Sequence, residues 1–161
     1  MKIEASVLIN RPAQDVFEAV ARPDIYLRRW SRGVLSVTNN SGLADCGSRF
    51  RIVGRDIGKK VEWLYEITLF EPFSLLEGRA KGSSMTFVET YKLASSPGGT
   101  TISHTQDIQP TGASRLLSPL LRLVWPHLME ENLGRLKALL EKAPLPVASP
   151  TAELRVEQLT G

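Results

Sequence analysis

Apolar and polar residues alternate at period two over much of the chain, and this pattern predicts β-strands. The alternation begins in Lys2–Ile9 and is clearest between residues 60 and 70. In that second stretch one face collects the apolar side chains Val61, Trp63, Tyr65, Ile67 and Leu69. Seven strands are predicted, at residues 2–9, 34–38, 48–53, 60–70, 74–80, 85–93 and 100–109.

The connections between the six later strands are short and rich in turn residues, such as Pro97-Gly98-Gly99. Turns of this length join neighbouring antiparallel strands. We therefore expect an antiparallel meander with no helix between Gly33 and Gln109.

Helical spacing replaces alternation near the C-terminus, from Ala113 to Lys142. One apolar stripe consists of Leu117, Leu121, Val124 and Leu128, and beyond Pro126 it continues as Met129, Leu133, Leu136 and Leu140. Proline lacks the amide hydrogen that a helix interior uses, so we expect a kink at Pro126.

Two short helices are predicted between the first two strands. Val16, Phe17 and Val20 lie at amphipathic spacing, with Asn10 as the expected N-cap of this first helix. The second short helix is expected to be capped by Asp24 and to end at Trp30.

This order of elements predicts an α+β fold in which a curved seven-stranded antiparallel sheet wraps around the long C-terminal helix. The domain is expected to span residues 1–143. Residues 144–161 are rich in Pro, Ala and Ser and are interpreted as a tail. We expect residues 152–159 to dock through Leu154 and Leu159 on the outer face of the sheet or on a neighbouring molecule.

Composition narrows the functional classes. A single cysteine excludes an internal disulfide and fits a reducing compartment. The first nine residues alternate rather than form a signal core, and no apolar run would span a bilayer, so a cytoplasmic location is expected. Two histidines 23 positions apart disfavour a structural metal site, and no cofactor-binding motif is present. The net charge is +3, and the basic residues that produce it are interpreted as a solvated rim rather than a nucleic-acid surface.

Polar residues on the predicted inner face are the candidates for chemistry. His104 and Gln106 lie at period two between Ile102 and Ile108, and Glu89 lies between Phe87 and Tyr91 on the preceding strand. An inward imidazole beside an inward carboxylate can act as a general acid–base pair. The alternative interpretation is a cross-strand polar pair that satisfies its own hydrogen bonds.

The chain resembles the START-like (Bet v 1-like, SRPBCC) superfamily, and more narrowly its polyketide cyclase/dehydrase and lipid-transport group. The resemblance covers residues 3–142 and rests on the segments ASVLINRPAQDVFEAVARPDIYLRRWSRGV, GSRFRIVGR, KKVEWLYEITLFEP, GGTTISHTQDIQP and ENLGRLKALLEK. It implies a helix-grip fold with a cavity between the sheet and the C-terminal helix.

Expected ligand-binding residues on the cavity wall are Trp30, Trp63, Tyr65, Phe87, Tyr91, Leu117, Leu121 and Val124. Gln106 matches a cavity glutamine of the aromatase-type relatives, and the tail segment PTAELRVEQL is similar to the end of those proteins. Those relatives carry an arginine where this chain has Ile67.

Two functions are therefore predicted for the same cavity. The first is a binding protein or carrier for a hydrophobic small molecule such as a lipid, isoprenoid or polyketide. The alternative is a cofactor-free polyketide cyclase/dehydratase that uses Glu89, His104 and Gln106. No nucleic-acid partner is expected, and the chain is compatible with a homodimer.

Overall fold

The computed structural model describes residues 1–39, 42, 44–56 and 58–142. Its elements are β1 (Lys2–Ile9), α1 (Ala13–Ala21), α2 (Pro23–Trp30), β2 (Val34–Asn39), β3 (Arg49–Asp56), β4 (Lys59–Glu71), β5 (Leu75–Gly82), β6 (Met85–Ser96), β7 (Gly99–Pro110), a 3-10 helix (Gly112–Leu117) and α3 (Ser118–Lys142). The predicted boundary at residue 143 and the predicted docking of residues 152–159 lie outside the described residues and stay predictions.

The seven strands form one antiparallel sheet in the order β1-β7-β6-β5-β4-β3-β2. Strands β2 to β7 pair in sequence as a meander, while β1 pairs with β7 through contacts such as Ala5 with His104. The α+β fold predicted from the order of elements is confirmed, and so is the helix-grip arrangement that the resemblance implies. Within the described residues no helix occurs between β2 and β7.

The starts of the short helices differ from the predicted caps. Pro12 occupies the N-cap of α1, and no side chain caps it. The backbone N–H of Asn10 instead donates to the Glu141 carboxylate at 2.9 Å. Helix α2 starts at Pro23, so Asp24 lies inside its first turn, where it pairs with Arg22 at 3.4 Å. Proline suits a first turn because the N–H it lacks would have no helical partner there.

The prediction that Leu69 lies on the same face of β4 as Ile67 is wrong, because β4 contains a β-bulge. Ile67 pairs with Gly78 and Leu69 with Glu77, so Thr68 is an extra residue in the ladder. Beyond the bulge the alternation reverses. Leu69 is therefore exposed, contrary to the prediction, and Phe70 packs against the core instead.

The long helix starts later than predicted, at Ser118, because residues 112–117 are wound as a 3-10 helix. Pro126 lies inside α3, and the helix continues on both sides of it. The kink expected at Pro126 stays a prediction.

The second half of α3 is anchored in the core. Leu133, Leu136 and Leu140 are almost completely buried and join the main hydrophobic cluster. The end of the helix is held by polar contacts as well. The Arg11 guanidinium donates to the Leu140 carbonyl at 2.8 Å, and the Lys137 ammonium donates to the Leu8 carbonyl at 2.7 Å. These contacts satisfy carbonyls at the helix end and at the edge strand.

Candidate functional site

A cavity of about 360 Å³ lies between the sheet and the first half of α3. Strands β3, β4, β6 and β7 supply the sheet side, and the end of α2 and the start of β2 supply one rim. Helix α3 closes the other side with Leu120, Leu121, Val124, Leu128 and Met129. Most of this lining is aliphatic or aromatic, which suits an apolar small molecule.

Glycines let two aromatic rings lie on the sheet inside this cavity. A Cβ atom at Gly78 would overlap with the ring and hydroxyl of Tyr65, and one at Gly82 would lie 2.6 Å from Cδ1 of Trp63. Gly78 pairs with Ile67 on one side and with Glu89 on the other. The Tyr65 ring therefore crosses β5 at Gly78, and its hydroxyl hydrogen-bonds to Glu89 on β6.

Glu89 is the centre of a polar cluster at this end of the cavity. Its Oε2 accepts hydrogen bonds from Tyr91 Oη at 3.2 Å and Gln106 Nε2 at 3.1 Å. His104 Nε2 lies 3.2 Å from the same oxygen. The pairings of Glu89 with Gln106 and of Tyr91 with His104 across β6 and β7 bring these groups together. With Tyr65, four side chains converge on one carboxylate.

Trp125 on α3 extends this cluster and is not among the site residues predicted from the sequence. Its indole Nε1 donates to Gln106 Oε1 at 2.9 Å, while the amide of Gln106 donates to Glu89. The helix and the sheet are thereby joined by a hydrogen-bonded chain across the cavity. Trp125 lies four residues after Leu121. That helical spacing was the signal that could have placed it beside the cavity.

The cluster favours an ionised Glu89 and neutral tyrosines. Burial alone would raise the pKa of Glu89, but the hydrogen bonds from His104, Gln106 and Tyr65 and the charge of His104 lower it overall. Burial, followed by the neighbouring carboxylate, raises the pKa of Tyr65 and that of Tyr91 well above the usual value. Both phenols therefore remain donors to the carboxylate at physiological pH.

His104 is held in a fixed orientation. Its ring stacks on Tyr91 with the centroids 4.2 Å apart and the planes 16° apart. With Nε2 turned toward the Glu89 carboxylate, Nδ1 is buried and has no hydrogen-bond partner within the described part of the chain. When the imidazole is neutral with its hydrogen on Nε2, Nδ1 carries the lone pair.

The structure places almost every predicted site residue on the cavity wall. These are Trp30, Trp63, Tyr65, Phe87, Glu89, Tyr91, His104, Gln106, Leu121 and Val124. Leu117 is the exception: it ends the 3-10 helix, does not line the cavity and is exposed. The prediction assumed α-helical spacing back from Leu121, whereas the tighter 3-10 winding turns Leu117 elsewhere.

One rim of the cavity is fastened to α3 by residues that the sequence analysis did not single out as site residues. The backbone N–H of Arg32 donates to Asn132 Oδ1 at 2.8 Å, and its guanidinium pairs with Glu131 at 3.1 Å. Arg32, Arg55 and Asn132 all line the cavity. Within the described ranges no group of three or more His, Cys, Asp or Glu side chains could hold a metal ion.

The chain belongs to the polyketide cyclase / dehydrase and lipid transport family, whose model matches residues 1–141. This match and the helix-grip fold confirm the resemblance found in the sequence. No curated protein matches the chain. No helix in the part of the chain that the structure describes is long and apolar enough to cross a bilayer.

Solved structures with this fold come from several sources. TTHA0849 from Thermus thermophilus is 21% identical, with 90% of this chain and 100% of that one covered and a TM-score of 0.76. A START superfamily protein from Mycobacterium smegmatis is 10% identical, with coverage of 88% and 97% and a TM-score of 0.73. The di-domain ARO/CYC BexL from the BE-7585A biosynthetic pathway is 19% identical, with coverage of 89% and 51% and a TM-score of 0.71. At these identities the likeness shows the fold.

Proposed function

We propose that this protein binds a hydrophobic small molecule, such as a lipid, isoprenoid or polyketide, in the cavity between the sheet and α3, as a binding protein or carrier. The observation that carries the proposal is the cavity of about 360 Å³ with a mainly aliphatic and aromatic lining. This volume falls within the range of roughly 300–1,000 Å³ that is usual for small-molecule sites.

The state of the polar cluster favours binding over catalysis. A general base works best when its pKa lies near the working pH. The pKa of Glu89 is lowered, because the hydrogen bonds and the charge of His104 outweigh burial, and its carboxylate already accepts from several donors. Glu89 is therefore a weak base that holds Tyr65, Tyr91 and Gln106 in place.

Cavity filling tests the binding proposal. Val124 lines the cavity from α3, so Val124→Trp should occupy space that a ligand needs. With N-phenyl-1-naphthylamine, a neutral fluorescent probe, we expect saturable binding by the native protein. Removing a share of the buried contact area should weaken binding about tenfold in Val124→Trp.

Leu64→Trp is the matched control, because Leu64 is exposed on β4 and does not line the cavity. It should bind the probe as the native protein does. No saturable binding by the native protein, or equal binding by both variants, would contradict the proposed function. Mass spectrometry of molecules that co-purify with the native protein would then identify the natural ligand.

His104 favours a second candidate, a cofactor-free cyclase/dehydratase in the same cavity. Its Nδ1 is buried without a partner, and its Nε2 faces the Glu89 carboxylate. A movement of His104 that opened Nδ1 to the cavity would let its lone pair accept a proton from the carbon next to a ketone, and Glu89 would stabilise the imidazolium formed. Gln106 would hold the carboxylate in position through its hydrogen bond.

Proton exchange separates the two candidates. 2-Tetralone is a neutral aromatic ketone whose exchangeable protons can be followed by NMR in D₂O. A catalytic His104 should accelerate the exchange, and His104→Gln should abolish the acceleration while the affinity stays within a few-fold. If the protein only binds the ketone, proton exchange with the native protein should be no faster than proton exchange with Glu89→Gln.

A further inference from the structure

An exposed apolar surface borders the cavity at the start of the long helix. Five of the eleven exposed large apolar side chains of the described residues lie between positions 116 and 124. Leu116, Leu120 and Leu123 are the most exposed of these five, at 85%, 52% and 70%. We call these three residues the leucine face. A surface cluster of this kind commonly marks an interaction site.

The leucine face is continuous with the entrance of the cavity. Leu120 belongs to the face and also lines the cavity, as does the half-exposed Val124 beside it. A molecule leaving the cavity past these two residues would meet the leucine face before it met water. The occupant of this face is therefore positioned to exchange an apolar ligand with the cavity.

The charged side chains of the stretch that carries the face are positive. Glu4 on β1 lines a surface hollow together with Arg122. Arg115 and Arg122 are both exposed and lie within the same stretch of sequence. No Asp or Glu occurs between Asp107 and Glu130. The end of α2, whose Leu27 and Trp30 line the cavity, adds the exposed Arg28 and Arg29. A partner that complements this surface has an apolar interior, which the leucines can enter, and anionic groups at its boundary, which the arginines can contact.

These charges disfavour a second copy of the chain as the occupant. In a twofold dimer the same patch lies on both sides of the interface. Arg115 and Arg122 of each copy would then approach those of the other, and the stretch holds no carboxylate to compensate. Like charges brought together in an apolar interface are destabilising.

We propose that the leucine face docks on a bilayer that contains anionic lipids, with the entrance of the cavity turned toward the acyl chains. Leucine side chains enter the boundary between headgroups and acyl chains, while arginines beside them contact lipid phosphates. The docking goes beyond the binding function proposed above and does not require it, because the face and its charges are present without a ligand.

Vesicle co-sedimentation of the full chain tests the docking. The protein should bind vesicles of phosphatidylcholine mixed with phosphatidylglycerol, and bind phosphatidylcholine alone much more weakly. Leu116→Ser/Leu123→Ser should lower binding to the mixed vesicles at least about tenfold, because the two side chains can no longer be buried in the bilayer. Neither residue lines the cavity, so binding of N-phenyl-1-naphthylamine without vesicles should be unchanged.

Leu64→Ser is the matched control, since Leu64 is 61% exposed on β4, away from the cavity lining. It should bind vesicles as the native protein does. Arg115→Gln/Arg122→Gln should weaken binding to the mixed vesicles and reduce its dependence on salt. A circular dichroism melt confirms that each variant is folded.

Four results would overturn the docking proposal. The native protein could fail to bind anionic vesicles, or Leu116→Ser/Leu123→Ser could bind them as well as the native protein does. The native protein could be a dimer that this double variant dissociates, which would make a second copy the occupant. The variant Leu154→Ser/Leu159→Ser could bind vesicles while the native protein does not. That result would make the chain's own tail the occupant of the leucine face. Loss of probe binding alone would contradict only the proposed cavity function.

Discussion

Both halves of α3 are rich in leucine, but their surroundings differ. In the second half, Leu133, Leu136 and Leu140 are buried in the main core. In the first half, Leu120, Leu123 and Val124 are at least half exposed, although Leu121 is buried. The difference shows that apolar spacing marks a surface that needs a partner. For the second half that partner is the sheet, and for the first half it is a cavity and, as proposed above, a bilayer.

Truncating one leucine in each half should give the largest contrast. Leu136→Ala removes a fully buried side chain and should lower the free energy of unfolding by about 2–5 kcal/mol. Leu123→Ala removes an exposed one and should change it by less than about 0.5 kcal/mol. Urea denaturation measures both. Equal losses would mean that the first half of the helix is also part of the core.

A methyl group added at two glycines should act in opposite directions. Gly78→Ala should lower the free energy of unfolding by about 1–3 kcal/mol, because the new Cβ would overlap with the Tyr65 ring. Gly134, in the second half of α3, has nothing within 4 Å of an added Cβ. Gly134→Ala should therefore stabilise the protein by about 0.5–1 kcal/mol through helix propensity.

A second change in the Gly78→Ala variant separates strain from function. Tyr65→Ala removes the ring that the new methyl group would overlap, so the double variant should lose less stability than the sum of the two single changes. If the two effects simply add, Gly78 does not provide the space for Tyr65.

The acid stability of the polar cluster should show the smallest of these effects. The folded pKa of Glu89 is lowered below the unfolded value, so the unfolded chain binds more protons in acid. The stability from this group is present above pH ~4.3 and is lost as the pH falls through the folded pKa. Glu89→Gln should reduce that acid-dependent loss.

Glu4→Gln provides the comparison for Glu89→Gln, because Glu4 is exposed on β1. Urea midpoints measured from neutral to acidic pH should follow the native protein in Glu4→Gln and flatten in Glu89→Gln. A Glu89→Gln profile with the native slope would mean that the carboxylate is not stabilised by its neighbours.

The amino-acid sequence determined the elements and most of the cavity wall. Period-two alternation predicted the seven strands, because a side chain that faces the core must be apolar at every second position. The same alternation placed Glu89, His104 and Gln106 on the inner face with their apolar neighbours, where the structure has them. The order of β2 to β7 followed from the short turns, which leave neighbouring strands no other pairing, whereas the place of β1 beside β7 did not.

Tertiary structure decided what local spacing does not encode. Because of the bulge at Thr68, Phe70 rather than Leu69 lies on the inner face of the sheet. Pairing with β5 sets the register at that point. The 3-10 winding of residues 112–117 kept Leu117 out of the cavity. The chain of hydrogen bonds from Trp125 through Gln106 to Glu89 depends on how the helix crosses the sheet. That crossing is set by packing between residues far apart in sequence, so no local pattern records it.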